Sequence, residues 1–214
     1  HAVWHLSDAT DLTTGLRAEY TEYDYANRTD DGLQGKLFRP ADRTDEFFDV
    51  SPKLALVHRL NDNRRVFASL TRAARAPQTT DLYRLRDADK TGPLEPNPAD
   101  VDSETLDSFE IGYRVAGQDL SYEISVFTMR KENYHFRDGS DYYETDGETT
   151  HQGIEVELDW QMSDVLSLHS GLSWASHEYA FNRDVSGGNA LESISDGNDI
   201  DSAPDTLGNT VVRW

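Results

Sequence analysis

Apolar and polar residues alternate along most of this chain. Between residues 104 and 116, for example, Phe109, Ile111 and Tyr113 occupy one set of alternate positions, and Glu110 and Arg114 occupy the other. A period of two predicts β-strands with one apolar and one polar face. The pattern predicts about nine such strands and no convincing helix. The predicted strands span residues 2–7, 12–25, 47–60, 65–75, 104–116, 120–136, 149–162 and 165–181, with a last strand from residue 206.

Short and long connections alternate between the predicted strands. Short turns fall near residues 8, 62, 118 and 163, and long polar segments fall near residues 26, 76, 137 and 182. Because alternate connections of an up-and-down meander lie at the same end, all the long segments are expected at one rim. This asymmetry, with strands of roughly 10 to 15 residues against the usual 5 or 6, predicts an all-β, antiparallel up-and-down transmembrane β-barrel. A soluble β-sandwich with one face toward its core is the alternative.

One predicted strand ends in a distinctive run of residues. Arg72 and Arg75 bring positive charge to its far end, and Pro77 then removes a backbone donor, so regular pairing is expected to stop there. A long polar segment follows, with Leu82 and Tyr83 among its local apolar anchors. We expect the two arginines to brace the base of this loop.

Together with further motifs, this run resembles the β-barrel of TonB-dependent outer-membrane receptors, siderophore receptors in particular. Residues 104–113 are similar to that family's Glu-Thr-x-x-x-x-Glu-x-Gly strand through Glu104, Glu110 and Gly112, and Gly153 with Glu155 matches its Gly-x-Glu strand. The resemblance implies a barrel of about 22 strands with a plugged lumen. It also implies that residues 1–214 form part of one barrel domain, with the plug domain and the closing strands outside this sequence. We therefore expect the chain to be a fragment of a longer protein.

Composition removes several classes of protein from consideration. The 214 residues include no Cys, so disulfides and thiolate metal sites are excluded. The formal net charge of −20 argues against a nucleic-acid partner, which requires a basic surface. No apolar run approaches about 18 residues, so a transmembrane helix is excluded. No catalytic triad, phosphate-binding loop or zinc signature occurs at usable spacing, and we expect no enzymatic activity.

Loop aromatics are the candidate ligand-binding residues. An aromatic rim at the extracellular end could receive a hydrophobic or planar chelate, and packing of the loops onto one another is the alternative. His151, His177 and Tyr179 lie near the same rim, where haem or metal ligation is an option that lone histidines do not specify. The aromatic candidates are Phe47, Phe48, Tyr134, Phe136, Tyr142 and Tyr143.

Charged residues on the polar face are expected to line the lumen. Arg114, Glu157 and Asp159 occupy such positions, as do Glu110 and Glu155. We expect them to pair across strands, at roughly 0.2–1 kcal/mol for each pair, with contact to a plug as the alternative. Gly153 is interpreted as a bend or a close backbone approach.

The leading functional hypothesis is energised uptake of a scarce ligand across the outer membrane of a Gram-negative bacterium. By family frequency the ligand is a ferric siderophore, with haem, cobalamin and glycan left open. Outer-membrane lipid and a TonB-type protein acting through the plug are the expected partners. A passive porin, a barrel enzyme and a soluble acidic β-sandwich binding module are the alternatives. No cofactor is expected beyond a metal-chelate ligand, although the carboxylates of residues 184–205 could bind divalent cations loosely.

Overall fold

The computed structural model describes residues 1–28, 39–83, 85–86, 95–96, 101–137, 143–186 and 191–214. Its elements are β1 (Ala2–Ser7), β2 (Thr10–Tyr25), β3 (Arg43–Asn61), β4 (Arg64–Arg75), α1 (Thr79–Tyr83), β5 (Leu85–Arg86), β6 (Glu95–Pro96), β7 (Glu104–Ala116), β8 (Leu120–Arg137), β9 (Tyr143–Ser163), β10 (Leu166–Tyr179), β11 (Arg183–Ser186), β12 (Leu191–Ile194) and β13 (Thr206–Arg213).

Nine strands form one antiparallel sheet in the order β1-β2-β3-β4-β7-β8-β9-β10-β13. Each long strand pairs with the next long strand in sequence, and the described sheet is open, with β1 and β13 at its edges. Two short pairs, β5–β6 and β11–β12, lie outside it. The prediction of an antiparallel, up-and-down β-sheet of about nine strands is therefore confirmed. A strand count of 22 for the whole barrel stays a prediction.

Several predicted boundaries were wrong because the strands continue beyond their apolar stretches. β3 starts at Arg43 rather than at residue 47, and β9 starts at Tyr143 rather than at residue 149. Backbone pairing needs no apolar side chains. Phe136 therefore pairs with Glu144, and Arg137 with Tyr143, beyond the stretch in which apolar and polar residues alternate. The connection expected at residues 137–147 therefore shrinks to residues 138–142. The connection expected at residues 182–205 contains the pair β11–β12.

The prediction of no helix was also wrong, because α1 forms one short turn directly after β4. Pro77, which has no backbone N–H to donate, precedes it. The Asp81 carboxylate accepts the Gln78 backbone N–H at 2.8 Å and so supports the first turn. No helix among the described residues has the length and apolar composition that crossing a membrane requires.

The outer face of the sheet is apolar and uncovered. Leu54 pairs with Leu70, and Leu70 with Phe109, across β3, β4 and β7. Their exposed fractions are 48%, 54% and 40%, and that of Ile124 is 43%. A water-soluble sheet would bury these rows against a second layer, whereas lipid solvates them. The residues expected to face lipid therefore lie on the open outer surface.

Aromatic rings pack over glycines on the opposite, inner face. A Cβ atom placed on Gly112 would lie 2.6 Å from Cε1 of Phe67 on the neighbouring strand β4. A Cβ atom on Gly153 would lie 2.8 Å from Cζ of Phe127 on β8. Both glycines thus leave room for a phenyl ring, which covers the backbone of the next strand. Phenyl rings therefore cover part of the inner wall between its charged side chains.

Candidate functional site

A small buried cluster ties the segment after β4 to the inner wall. We call it the loop anchor; its core is Leu82, Tyr83 and Val101, with Tyr23, Tyr25 and Phe47 packed around it. The rings of Tyr25 and Tyr83 stack with their centroids 4.1 Å apart and an interplanar angle of 15°. Leu82 is fully buried, as is Pro77. The motif residues 77–83 therefore hold the base of the long connection against β2 and β3.

A carboxylate completes the loop anchor. Asp45 accepts the Tyr83 hydroxyl at 2.9 Å and pairs with Nε of Arg43 at 2.9 Å. Arg43 also donates to the Leu82 carbonyl at 3.2 Å. Burial of the ring, followed by the bond to Asp45, raises the pKa of the Tyr83 phenol above its ordinary value. Hydrogen bonds as well as apolar packing therefore hold the loop anchor together.

Arg75 and Glu104 meet on the inner face at the loop end. Nη2 of Arg75 lies 2.5 Å from Oε2 of Glu104, and the ammonium group of Lys131 lies 3.4 Å from the same oxygen. The other oxygen of Glu104 accepts the His135 backbone N–H at 2.9 Å. One buried carboxylate therefore joins β4, β7 and β8 where the loops begin.

Arg72 lies on the other face, three residues before Arg75. Its guanidinium forms a two-pronged pair with Asp107 of β7, in which Nε donates to Oδ1 at 2.6 Å. Both side chains are about half exposed on the outer surface, just above the apolar rows. The two motif arginines thus brace adjacent strands on opposite sides of the sheet.

The residues that could contact a ligand gather at the loop end of β8 and β10. We call this group the rim cluster: Tyr134, Phe136, Tyr179 and Phe181, with the cations Lys131 and Arg183. Its rings follow one another at centroid distances of 5.7, 6.0 and 5.8 Å. Each ring is half-buried, so every ring keeps an exposed part.

Cations sit over two rings of the rim cluster. The Lys131 ammonium lies 4.3 Å from the centroid of Tyr134, and the Arg183 guanidinium lies 5.3 Å from that of Phe181. Arg183 also donates to the Thr145 carbonyl and lies 3.6 Å from Glu144. This surface combines aromatic faces with positive charge in a chain of net charge −20. Both cations also lie next to carboxylates, Lys131 next to Glu104 and Arg183 next to Glu144, so the aromatic faces are the feature that suits a planar ligand.

Two histidines face each other just below the rim cluster. Nδ1 of His151 on β9 lies 2.8 Å from Nδ1 of His177 on β10, and Nε2 of His151 lies 3.0 Å from the Thr149 hydroxyl. The two residues are register partners on the inner face. Sequence analysis placed both near the rim but did not pair them. Counting from the turn would have missed this pair by one residue, because the register shifts between Leu166 and Ser167.

The lower inner wall carries the expected charged residues. Arg114 pairs with Glu123, and Asp159 pairs with Nδ1 of His169 at 2.7 Å. Glu155 and Glu157, with Glu123, line a groove of about 380 Å³. Glu110 lines a neighbouring groove that also contains Arg114. Among the described residues, no three His, Asp or Glu side chains form a metal-binding group.

The structure separates the predicted ligand-binding aromatics. Tyr134 and Phe136 join the rim cluster, whereas Phe47 belongs to the loop anchor. Phe48, one residue along, points outward with 70% of its surface exposed. Tyr142 lies outside the described residues, and Tyr143 is described only as the first residue of β9. Sequence reasoning missed Phe181, Arg183 and Lys131, whose contacts depend on pairing between strands.

Known proteins share this architecture. A family profile described as TonB dependent receptor-like, beta-barrel matches residues 2–214. The siderophore receptor PiuA from Acinetobacter baumannii superposes with a TM-score of 0.71 at 18% identity, over 97% of this chain and 29% of that one. The ferric yersiniabactin uptake receptor FyuA from Yersinia pestis gives 0.64 at 16%, over 98% and 29%. The copper transporter OprC gives 0.65 at 20%, over 82% and 27%.

The structural matches and the family match support different conclusions about this chain. No curated protein sequence matches the chain. The chain spans less than a third of each of the three structures, and at these identities the likeness shows the fold alone. The family match, by contrast, covers nearly every residue. The chain therefore belongs to the TonB-dependent receptor-like β-barrels of the Gram-negative outer membrane.

Proposed function

We propose that this barrel serves energised uptake of a ferric siderophore, with the energy supplied by a TonB-type protein acting through a plug domain. Membership of the receptor family supports uptake across the outer membrane. The siderophore receptors with the same fold, PiuA and FyuA, support an iron chelate as the ligand. A metal chelate is the ligand class, and the protein needs no cofactor of its own for this role.

The observation that carries the proposal is the rim cluster. Four half-buried rings line the inner wall at the end where the long connections lie, and two cations sit over them. A ferric catecholate presents flat aromatic groups and a net negative charge. Ring stacking and cation attraction would both favour such a ligand, at about 0.5–1.5 kcal/mol for each ring contact.

Growth under iron limitation tests the proposed uptake. A strain that lacks the protein carrying this chain is complemented with the intact gene and supplied with a ferric catecholate as its iron source. We expect growth and ⁵⁵Fe accumulation to return on complementation, and to be lost when TonB is absent. Accumulation that persists without TonB would instead identify a passive porin. No dependence on the protein would reject siderophore uptake.

Variants of the rim cluster test the binding surface. The double substitution Tyr134→Ala with Tyr179→Ala removes two rings, and we expect the affinity for the ferric catecholate to fall about tenfold or more. Phe48→Ala is the matched control, because Phe48 is a ring at the same level that points outward. Equal affinities for the double variant and the control would show that the ligand binds elsewhere.

A further inference from the structure

The histidine pair on the inner wall has the geometry of two metal ligands. The Nδ1 atoms of His151 and His177 are 2.8 Å apart, so each nitrogen points toward the other. Two nitrogens bonded at ~2.05 Å to one tetrahedral ion lie roughly 3.3 Å apart, and at a right angle they lie about 2.9 Å apart. To admit a tetrahedral ion, both rings must turn until their Nδ1 lone pairs converge on one point, and the two nitrogens must separate by about 0.5 Å.

The Thr149 hydroxyl lies where it can accept a hydrogen from Nε2 of His151, which is the tautomer that metal binding needs. If Nε2 of His151 carries the hydrogen and donates to the Thr149 hydroxyl at 3.0 Å, Nδ1 keeps its lone pair. An oxygen partner on the second ring nitrogen is the usual arrangement around metal-binding histidines. In that tautomer His177 supplies the proton between the two rings, and on binding an ion it would carry that proton on Nε2. No net charge change of the protein is required.

A thioether lies next in the same row. Met129 on β8 is the register partner of His151 on β9, and His151 is the partner of His177 on β10. All three residues belong to the inner face, and each is partly exposed to the lumen. Soft sulfur with two imidazoles favours copper among the first-row metals, and the thioether favours Cu(I).

The positive charge near the histidine pair and the small number of possible metal ligands also favour Cu(I). Lys131 is the register partner of Thr149, two positions along from the Met129–His151 pair on the same two strands, and its positive charge disfavours a divalent ion more than a monovalent one. No third imidazole or carboxylate joins the pair among the described residues, so the four-ligand set of a closed zinc site is not present there. A three-ligand site with an open position suits Cu(I).

We propose that Met129, His151 and His177 form a binding site for a copper ion, Cu(I) in particular, on the inner wall below the rim cluster. The site is independent of siderophore uptake: it is defined by metal binding to the purified protein. Failure of the transport experiments therefore does not affect it, and its own failure leaves the proposed uptake untouched.

Titration of the purified protein tests the site. The protein that carries this chain is prepared in detergent, and Cu(I) is held reduced and buffered by a chromophoric chelator. We expect His151→Gln and His177→Gln each to weaken the binding by at least about tenfold, the double variant to abolish this site, and Met129→Leu to weaken Cu(I) by about tenfold. His169→Gln, a lumen-facing histidine on the same strand as His177, is the control and should bind as the unaltered protein does.

Two results would overturn the proposal. One is equal Cu(I) affinity in the unaltered protein and the double His151→Gln, His177→Gln variant. The other is an unaltered protein whose X-ray absorption spectrum, with one equivalent of Cu(I), lacks a shell of nitrogen and sulfur ligands. The spectrum needs no variant, so it decides the question even if a substitution prevents folding. Full affinity in Met129→Leu would overturn the assignment of the thioether as third ligand.

Discussion

Phe127 on β8 lies over Gly153 on β9, close enough that a Cβ atom on the glycine would come within 2.8 Å of the ring. The same Cβ atom would lie 2.6 Å from the carbonyl oxygen of Trp174 and 2.8 Å from Cβ of Ala175. Gly153 is therefore closed in by an aromatic ring on one neighbouring strand, and by a carbonyl oxygen and a methyl group on the other.

We accordingly expect Gly153→Ala to destabilise the barrel by about 1–3 kcal/mol, because neither the carbonyl nor the ring can move away without disturbing strand pairing. Urea unfolding in phospholipid vesicles measures the change. Gly15→Ala is the control, since the nearest atom to a new Cβ there is 3.5 Å away. Similar losses for both variants would mean that the glycine is needed for another reason.

Replacement of Glu104 should loosen the loop end of the barrel. Glu104→Gln leaves Arg75 and Lys131 without their shared carboxylate, and breaking a buried pair of this kind is costly. Because Arg75 is half exposed, we expect about 1–3 kcal/mol rather than the full cost for buried ions. Hydrogen exchange of β8 near residues 131–137 should rise at the same time.

The exposed ion pair of Arg72 and Asp107 serves as the comparison for the buried carboxylate of Glu104. Asp107→Asn removes the carboxylate partner of Arg72 on the outer surface, and we expect less than about 1 kcal/mol. If Asp107→Asn were to cost as much as Glu104→Gln, the difference in burial would not explain the role of these motif residues.

The loop anchor predicts a stability that falls at high pH. The pKa of Tyr83 is raised in the folded protein, so its contribution is fully present below the unfolded value of about 10 and is lost as the pH rises through the folded value. Tyr83→Phe removes the bond to Asp45 and should cost about 1 kcal/mol at pH 8. The gap between the two proteins should narrow toward pH 11, as measured by urea unfolding. A gap that stays constant with pH would show that the phenol does not titrate on unfolding.

Alternation between neighbours predicted the faces of the sheet correctly because it is a local property. Leu54 and Ile124 lie outward, whereas Glu110 and Arg114 lie inward, as their positions in the pattern required. The polar ends of β3 and β9 were missed because pairing there does not depend on apolar residues. The short helix α1 was missed because a single turn shows no helical periodicity.

Local sequence patterns could not predict which residues of distant segments contact each other. Tyr25 stacks on Tyr83, and Asp45 accepts the Tyr83 hydroxyl, although most of β3 and all of β4 separate Tyr83 from both residues in the sequence. No spacing in the sequence specifies these partners. The pairing of His151 with His177 could not be counted from the hairpin turn either, because the register shifts by one residue between Leu166 and Ser167.

Adjacent residues on β9 report which face of the sheet meets lipid. The described chain contains no Cys, so single cysteines at residues 154, 155, 156 and 157 can carry spin labels in the protein reconstituted in lipid. We expect labels replacing Ile154 and Val156 to be accessible to oxygen dissolved in the bilayer. Labels replacing Glu155 and Glu157 should be accessible to a water-soluble nickel chelate instead. Equal accessibility at all four positions, or the opposite alternation, would contradict a barrel with its apolar rows toward lipid.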